Sequence, residues 1–356
     1  MKNIITRLKT SLMWLLLCFS WCLPTQAAVI LAYHHVATDT PKSTTISPSQ
    51  FKAHLQYLKE NQFQVVPLSQ LVERLRLGQL FKDKTVAITF DDGFKDIYLN
   101  AHPMLQQYKF PYTVFINPKV VPKASTKYLT WAELRAMQDD GVIIANHGLT
   151  HDSLIKAPVG IDPKAWADQK IEQVEQAEQI LKQKLGTSWR YFALPYGEYT
   201  PYAIAQLAQK QFTVFTQQSG AIGPNTEASL IPRFPASEPF DRLTTLKTKL
   251  HSLPFKVSKT SQWHDPITTN GAIVKAKVEL KVDDFLTQQV QCFASNGESE
   301  VRWQGQQYFE LHLKSPLKTG RTKANCTAPS VSKPGRFYWF SLPWFVPKAN
   351  GQWYGW

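Results

Sequence analysis

Apolar runs and amphipathic stretches alternate through the first two thirds of this chain. Val29–Tyr33 and Val86–Phe90 are near-continuous apolar runs, the form of strands buried on both faces of a sheet. Thr113–Ile116, Val142–Ala145, Tyr191–Ala193 and Phe212–Thr216 repeat that form, and Val65–Val66 is a shorter piece of it. Between these runs the period changes to that of a helix. Ser47-Pro48 reads as an N-cap and first helical position, with Phe51, Leu55 and Leu58 recurring on one face. Thr130-Trp131-Ala132-Glu133 has the form of a capping box. Asp162-Pro163 opens a long helix whose apolar face is Ile171, Val174, Ile180, Leu181 and Leu185, and Gly186 is placed to end it. Strand and helix in alternation predict an α/β fold around a parallel sheet.

The pattern breaks after Leu253. Residues 254–271 are polar and irregular, with Pro254, Pro266 and Asn270-Gly271, and read as a linker or domain edge. Ile273–Leu280 then alternates in the manner of a half-buried strand, and Phe337–Phe340 and Trp353–Trp356 add aromatic density. A small β-rich accessory domain over 272–356 is the expectation. Its aromatics either fill a sandwich core and pack onto the first domain or stack on sugar rings.

Charge and cysteine usage sharpen the setting. Lys2, Arg7 and Lys9 precede the apolar Leu12–Cys22, and Thr25-Gln26-Ala27-Ala28 supplies small residues for cleavage after Ala27, so 1–27 reads as a secretory signal peptide. Removing its three positive charges takes the formal net charge from +13 to +10. A basic exported chain is drawn to anionic envelope polymers, and no nucleic-acid motif accompanies the charge. A bacterial periplasmic or cell-surface location is expected. Cys292 and Cys326 are then the remaining cysteines, and an even pair in an oxidising compartment predicts one disulfide.

The chemistry stands where apolar runs stop. Val86–Phe90 ends in Asp91-Asp92-Gly93, and the run after Val142 ends in Asn146-His147-Gly148-Leu149-Thr150-His151. Catalytic groups of parallel α/β barrels collect at such strand ends. Two imidazoles four residues apart converge on a helical turn or a short loop, and with one carboxylate they make a zinc-type ligand set with an open position. Tyr191–Ala193 runs into Leu194-Pro195-Tyr196-Gly197, a third strand end. Spacing alone does not say which of Asp91 and Asp92 is ligand and which is base.

At these residues the chain resembles the polysaccharide deacetylases with NodB homology, carbohydrate esterase family 4. Thr89-Phe90-Asp91-Asp92-Gly93 is that family's first motif unaltered, and His147-Gly148-Leu149-Thr150-His151 matches its second with Gly148 in place of a hydroxyl residue. Ala193-Leu194-Pro195-Tyr196-Gly197 keeps the third-motif turn but has Ala193 where the family usually carries an Arg. Leu31–Val36 and Leu230–Phe234 look like the branch that acts on poly-β-1,6-N-acetylglucosamine, and the resemblance spans roughly residues 29 to 250.

The resemblance implies a distorted (β/α)7 barrel over 28–253 and hydrolytic removal of acetate from N-acetylglucosamine units of an envelope or biofilm polysaccharide. It implies Asp92, His147 and His151 as ligands of a divalent metal, with Zn the default and Fe, Co or Ni alternatives. It further implies Asp91 as general base and the backbone N–H of Tyr196 as an oxyanion donor. Pro195 and Arg233 are expected at the substrate, with orienting a carboxylate as the other reading of Arg233. The family's usual acid, a His in a late apolar strand, has no counterpart; His34 fits by position better than His251, which lies in a helical segment. With Ala193 at the third motif, the charge that tunes Asp91 has to come from elsewhere. A deacetylase of peptidoglycan or chitin oligomers, and a glycan-binding or assembly protein without turnover, are the alternatives. The sequence identifies no protein partner.

Overall fold

A computed structural model of the chain describes residues 27–262 and 264–355. Residues 1–26, where the expected signal peptide falls, together with Trp263 and Trp356, lie outside the described residues.

Seven parallel strands form one curled sheet. Thr85–Phe90 lies between Ala28–Tyr33 and Tyr112–Ile116, and Ile143–Asn146, Tyr191–Ala193 and Thr213–Phe215 follow in order on the far side. Phe234–Pro235 pairs with Leu31 and Ala32, while Ile231 bridges to Phe215, so the segment 231–235 joins the two ends of the curl. Gln64–Val65 is a short eighth strand beside Thr85–Val86.

Strand alternation divides the apolar residues between two cores. Val86, Ile88 and Phe90 pack outward with Phe51, Leu55 and Leu58 of helix Pro48–Glu60. Ala87 packs inward with Ile30, Phe115, Ala145, Ala193 and Phe215. A period of two therefore aims the later odd positions, Thr89 and Asp91, at the interior of the curl.

Local chemistry sets the helix starts. The Ser47 hydroxyl accepts from the Gln50 N–H, the Thr130–Glu133 capping box is formed, and the Asp162 carboxylate accepts from the Ala165 N–H. In helix Pro163–Leu185 the buried face is Ile171, Val174, Ala177, Glu178, Leu181 and Leu185. Ile180 is only half-buried, because the face needs Glu178, whose carboxylate accepts from Asn146, Ser188 and the Arg190 N–H.

The C-terminal third is two four-stranded sheets. One orders Leu253–Pro254, Phe337–Val346, Gly320–Pro329 and Gln291–Ala294; the other orders Lys256–Val257, Lys275–Lys281, Tyr308–Leu313 and Ser299–Gln304. Their shared core holds Phe255, Val278, Leu280, Phe309, Leu311, Cys326 and Trp344. Cys292 and Cys326 form the expected disulfide between directly opposed strand positions.

Residues 254–271 differ from the expected linker. Residues 253–257 contribute an edge strand to each C-terminal sheet, and Pro266 and Thr268 exchange backbone hydrogen bonds with Phe345. The segment is polar because each strand is two residues long and lies on an edge, which leaves too few positions for an apolar pattern. Phe337 is exposed, but other aromatics of this strand turn toward protein: Trp344 and Phe345 are buried, and the Trp339 ring meets Phe234 of the first domain edge-on at 5.2 Å.

Candidate metal and catalytic site

Asp91 arrives at the end of its strand fully buried, and Arg233, equally buried, meets it from the segment that closes the curl. Two guanidinium nitrogens donate to the two carboxylate oxygens at 2.7 Å each, a bidentate fork. Two further donors are used as well: Nε bonds the Thr216 carbonyl at 3.0 Å and Nη1 also reaches the Thr89 hydroxyl at 3.1 Å. Of the two expectations for Arg233, binding substrate and orienting a carboxylate, this geometry fits the second. A guanidinium with no exposed surface and four of its five donors engaged inside the curl orients the carboxylate. Arg233 also supplies the charge left missing by Ala193. Burial pushes the Asp91 carboxyl up, but Arg233 foremost opposes it, and the carboxyl is held below the usual carboxylate range.

Asp92 turns the opposite way. Its backbone takes φ of 70°, and Gly93 follows at 67°, where an added Cβ would stand 2.8 Å from Ile116 Cγ2. That tight turn brings Asp92 Oδ1 to 3.1 Å from His147 Nε2 and 3.2 Å from His151 Nε2. The ligand atoms of the three residues all lie within 4.8 Å of one another. His147 and His151 come from a loop, not from a helix. Asn117 holds that loop by donating to the carbonyls of His147 and Gly148, and the Asn146 side chain accepts from the Gly148 N–H. Gly148 has φ of 84°, a conformation that glycine adopts more readily than Ser or Thr, so amide side chains take over the orienting work of the absent hydroxyl.

The His147 ring shows what this set can hold. Its Nδ1 bonds the Ala193 carbonyl at 2.8 Å, and since a carbonyl only accepts, Nδ1 carries the proton. Nε2 then offers a lone pair toward Asp92 Oδ1, and both atoms are buried without a hydrogen-bond partner among the described residues. Two acceptors this close repel unless a cation lies between them. Two imidazoles and one carboxylate, with a second hydrogen bond fixing one tautomer, fit a divalent transition metal.

The third strand end closes the site. Pro195 is buried and opens a short turn beside Gly148, and Tyr196, at φ of 62°, sets its ring edge-on to His151 with centroids 4.4 Å apart. Asp92, His151 (φ of 67°) and Tyr196 are thus three non-glycine residues held in the left-handed region around one point, a pattern of stored strain found at functional sites. His34 stands with Nε2 3.9 Å from Asp91 Oδ2, and burial foremost keeps its ring below the usual imidazole range despite the nearby carboxylates of Asp92 and Asp91. His251 is elsewhere, packed on Phe63 with Tyr57 and Arg336 as neighbours.

Asp91, Asp92, His147, His151, His34 and Tyr196 are therefore brought together. The supporting roles of Asn117 and Asn146 were not singled out from the sequence. Each carries a weak signal, a polar residue at the border of an apolar run, but the partners that give it meaning are far away in the chain.

Residues 79–215 match the polysaccharide deacetylase family. Poly-beta-1,6-N-acetyl-D-glucosamine N-deacetylase of Staphylococcus aureus is 28% identical over 204 residues, 55% of this chain and 69% of that protein. The Escherichia coli (strain K12) protein of the same name is 22% identical over 246 residues, 59% of this chain. The match spans only 36% of the length of that relative. IcaB from Ammonifex degensii superposes with a TM-score of 0.56 at 26% identity, covering 64% of this chain and 98% of that one. Streptococcus pyogenes deacetylase PplD shares the fold at the same TM-score and 21% identity, covering 64% of this chain and 99% of that one. The stretch 79–215, which carries all three strand ends of the site, is thus what matches the polysaccharide deacetylase family.

Proposed function

We propose that the protein hydrolyses the acetamide of N-acetylglucosamine units in a β-1,6-linked envelope or biofilm polysaccharide, releasing acetate and leaving the amine. The observation that carries this reading is the pairing of two unlike carboxylates at one strand end. Asp91 is buried and clamped by Arg233, while Asp92 faces two imidazoles, its Oδ1 and His147 Nε2 both buried without a hydrogen-bond partner among the described residues. One aspartate is thereby kept as a base and the other as a ligand.

Asp92, His147 and His151 would hold the divalent ion, zinc by default from the donor set. Once bound, such an ion polarises an acyl oxygen and acidifies a water. The chain's own groups do the rest. Asp91, ionised at neutral pH and fixed by two hydrogen bonds, accepts the proton of the attacking water. The backbone N–H of Tyr196 faces the oxygen of the tetrahedral species as a second donor. Collapse breaks the C–N bond, and the leaving nitrogen takes a proton delivered from Asp91 through His34, whose neutral ring can both accept and donate. The β-1,6 substrate follows the names of the Staphylococcus and Escherichia relatives. An exported location, periplasmic or at the surface, and contact with anionic envelope polymers follow from the leader-like N-terminus and the +13 charge.

The test is acetate release from β-1,6-linked N-acetylglucosamine oligomers by the mature protein after chelation and metal add-back, beside chitin and peptidoglycan fragments. Release restored by zinc and lowered about 10²- to 10⁴-fold in Asp91→Asn is the expected result. Binding without release under every metal would leave a glycan-binding protein, and faster release from chitin or peptidoglycan would move the substrate.

A further inference from the structure

One carboxylate at the edge of the site has no part in the chemistry above. Glu198 follows the Tyr196-Gly197 turn by one residue and is fully buried. Its Oε2 accepts from the Ser153 hydroxyl at 2.6 Å, and Ser153 follows the ligand His151 by two residues. Its Oε1 accepts from the Tyr354 hydroxyl at 2.7 Å, and Tyr354 belongs to the segment after the last strand of the C-terminal sheets. Lys156, from the same loop as Ser153, stands 3.6 Å from Oε1, donates to the Tyr354 carbonyl at 3.2 Å and lies 3.9 Å from the centre of the Tyr354 ring. A single buried carboxylate therefore ties together the loop that carries His151, the turn that carries Tyr196 and the C-terminal segment. Neighbouring contacts reinforce the tie. Trp353 packs against the cluster containing Ile155, Leu194 and Tyr199, and Arg321 of the C-terminal sheets donates to the Tyr196 carbonyl at 3.3 Å.

We propose that the C-terminal unit is a working part of the deacetylase site: Tyr354, through Glu198, is a positioning residue that holds the His151 loop and the Tyr196 turn in their left-handed conformations. The physical reason is the cost of the alternative. A buried carboxylate that loses a hydroxyl donor has to find water or another donor, and both loops hang on that carboxylate. Strained backbone persists only where its surroundings over-determine it. Tyr354 touches neither metal ligand nor reacting atoms, so its effect is on geometry, where a small displacement of catalytic groups costs about 10²-fold.

The inference rests on the proposed deacetylase reading, so the experiment has one arm that needs no turnover. Tyr354→Phe keeps the ring and removes only the hydroxyl. Expected are a fall in kcat of about tenfold to a hundredfold with KM within twofold, and a zinc affinity, read by chelator competition, weakened about tenfold. The mature protein and Arg302→Ala, on a distant strand of the C-terminal unit, are run beside it and are expected to match each other. Arg321→Ala is a second variant, with Arg321→Lys restoring most of the loss. Unchanged kcat and unchanged zinc affinity in a folded Tyr354→Phe protein would overturn the proposal. An equal loss in Arg302→Ala would overturn it too, by showing a general effect of the C-terminal unit. If the mature protein releases no acetate, the deacetylase reading fails and zinc affinity alone decides the clasp: unchanged in Tyr354→Phe, the clasp fails with it.

Discussion

Arg233 shows how an interaction at residue scale can be present in a sequence and unreadable there. Asp91 and Asp92 were legible because an apolar strand ends on them, and His147 and His151 because another does. Arg233 sits in the apolar run Leu230–Phe234, and its meaning depends on a carboxylate 142 positions away that only the closed curl brings to it. The absence of an Arg at Ala193 announced that the charge was needed without saying where it stood. Removing one member of a fully buried ion pair strands the other, at a cost of about 3–5 kcal/mol, more than the pair itself contributes. Arg233→Met is therefore expected to lower stability by about that amount, read from the urea midpoint. Adding Asp91→Asn to it should recover part of the loss, since the stranded charge is gone. Strict additivity of the two substitutions would mean that the fork at 2.7 Å does not hold in solution.

At the scale of elements, helix Pro48–Glu60 docks through a polar contact inside an otherwise apolar interface. His54 is fully buried; its Nε2 donates to the Asp241 carbonyl at 2.6 Å and its Nδ1 accepts from the Tyr33 hydroxyl at 3.0 Å. The ring is satisfied in its neutral form, and burial foremost lowers its pKa to about 4, with Lys249 lowering it further and the Asp241 contacts opposing. The unfolded chain, near 6.5, binds the proton first on acidification, so stability from this group is complete above about pH 6.5 and is lost as the pH falls toward 4. The loss is on the order of 3 kcal/mol across that window. Urea midpoints at pH 7.5 and 4.5 should differ accordingly, and His54→Gln should flatten that difference while lowering both values. A pH dependence unchanged in His54→Gln would assign it to other groups. The amphipathic period announced this helix, its Ser47 cap and its apolar stripe, because those are local properties. The pairing of His54 with Tyr33 and Asp241 was not announced, because it joins three elements. The loop of His147 and His151 follows the same rule: its ligands were legible from spacing, while Asn117, which holds it, sits at the end of a different strand.

At the scale of the whole molecule, the C-terminal sheets are stitched to the curled sheet at several separate points. Trp339 packs on Phe234, the Ser341 hydroxyl donates to the Ser219 carbonyl, Arg336 bonds Asp83 and the His251 carbonyl, and Tyr354 reaches Glu198. Sequence pattern separated an α/β region from a β-rich one correctly but read the join at 254–271 as slack, since two-residue edge strands leave no periodic trace. The consequence can be tested at the disulfide. Cys292 and Cys326 close a loop of 34 residues wholly inside the C-terminal unit, and in the chain-entropy account such a closure contributes about 4 kcal/mol. Were the two regions independent, opening the bond would weaken the sheets and leave the curled sheet untouched. Because they share buried contacts, the loss should be felt by both. Cys292→Ala with Cys326→Ala, or reduction under mild denaturant, is expected to lower the unfolding midpoint of the entire chain in a single transition. Tryptophan fluorescence, with Trp303, Trp339, Trp344 and Trp353 in the C-terminal unit beside Trp131, Trp166 and Trp189 in the first domain, and far-ultraviolet helix signal, weighted toward the first domain, should move together. Two separated transitions, with the helix signal staying at its original midpoint, would show that the sheets merely sit beside the site instead of bearing on it.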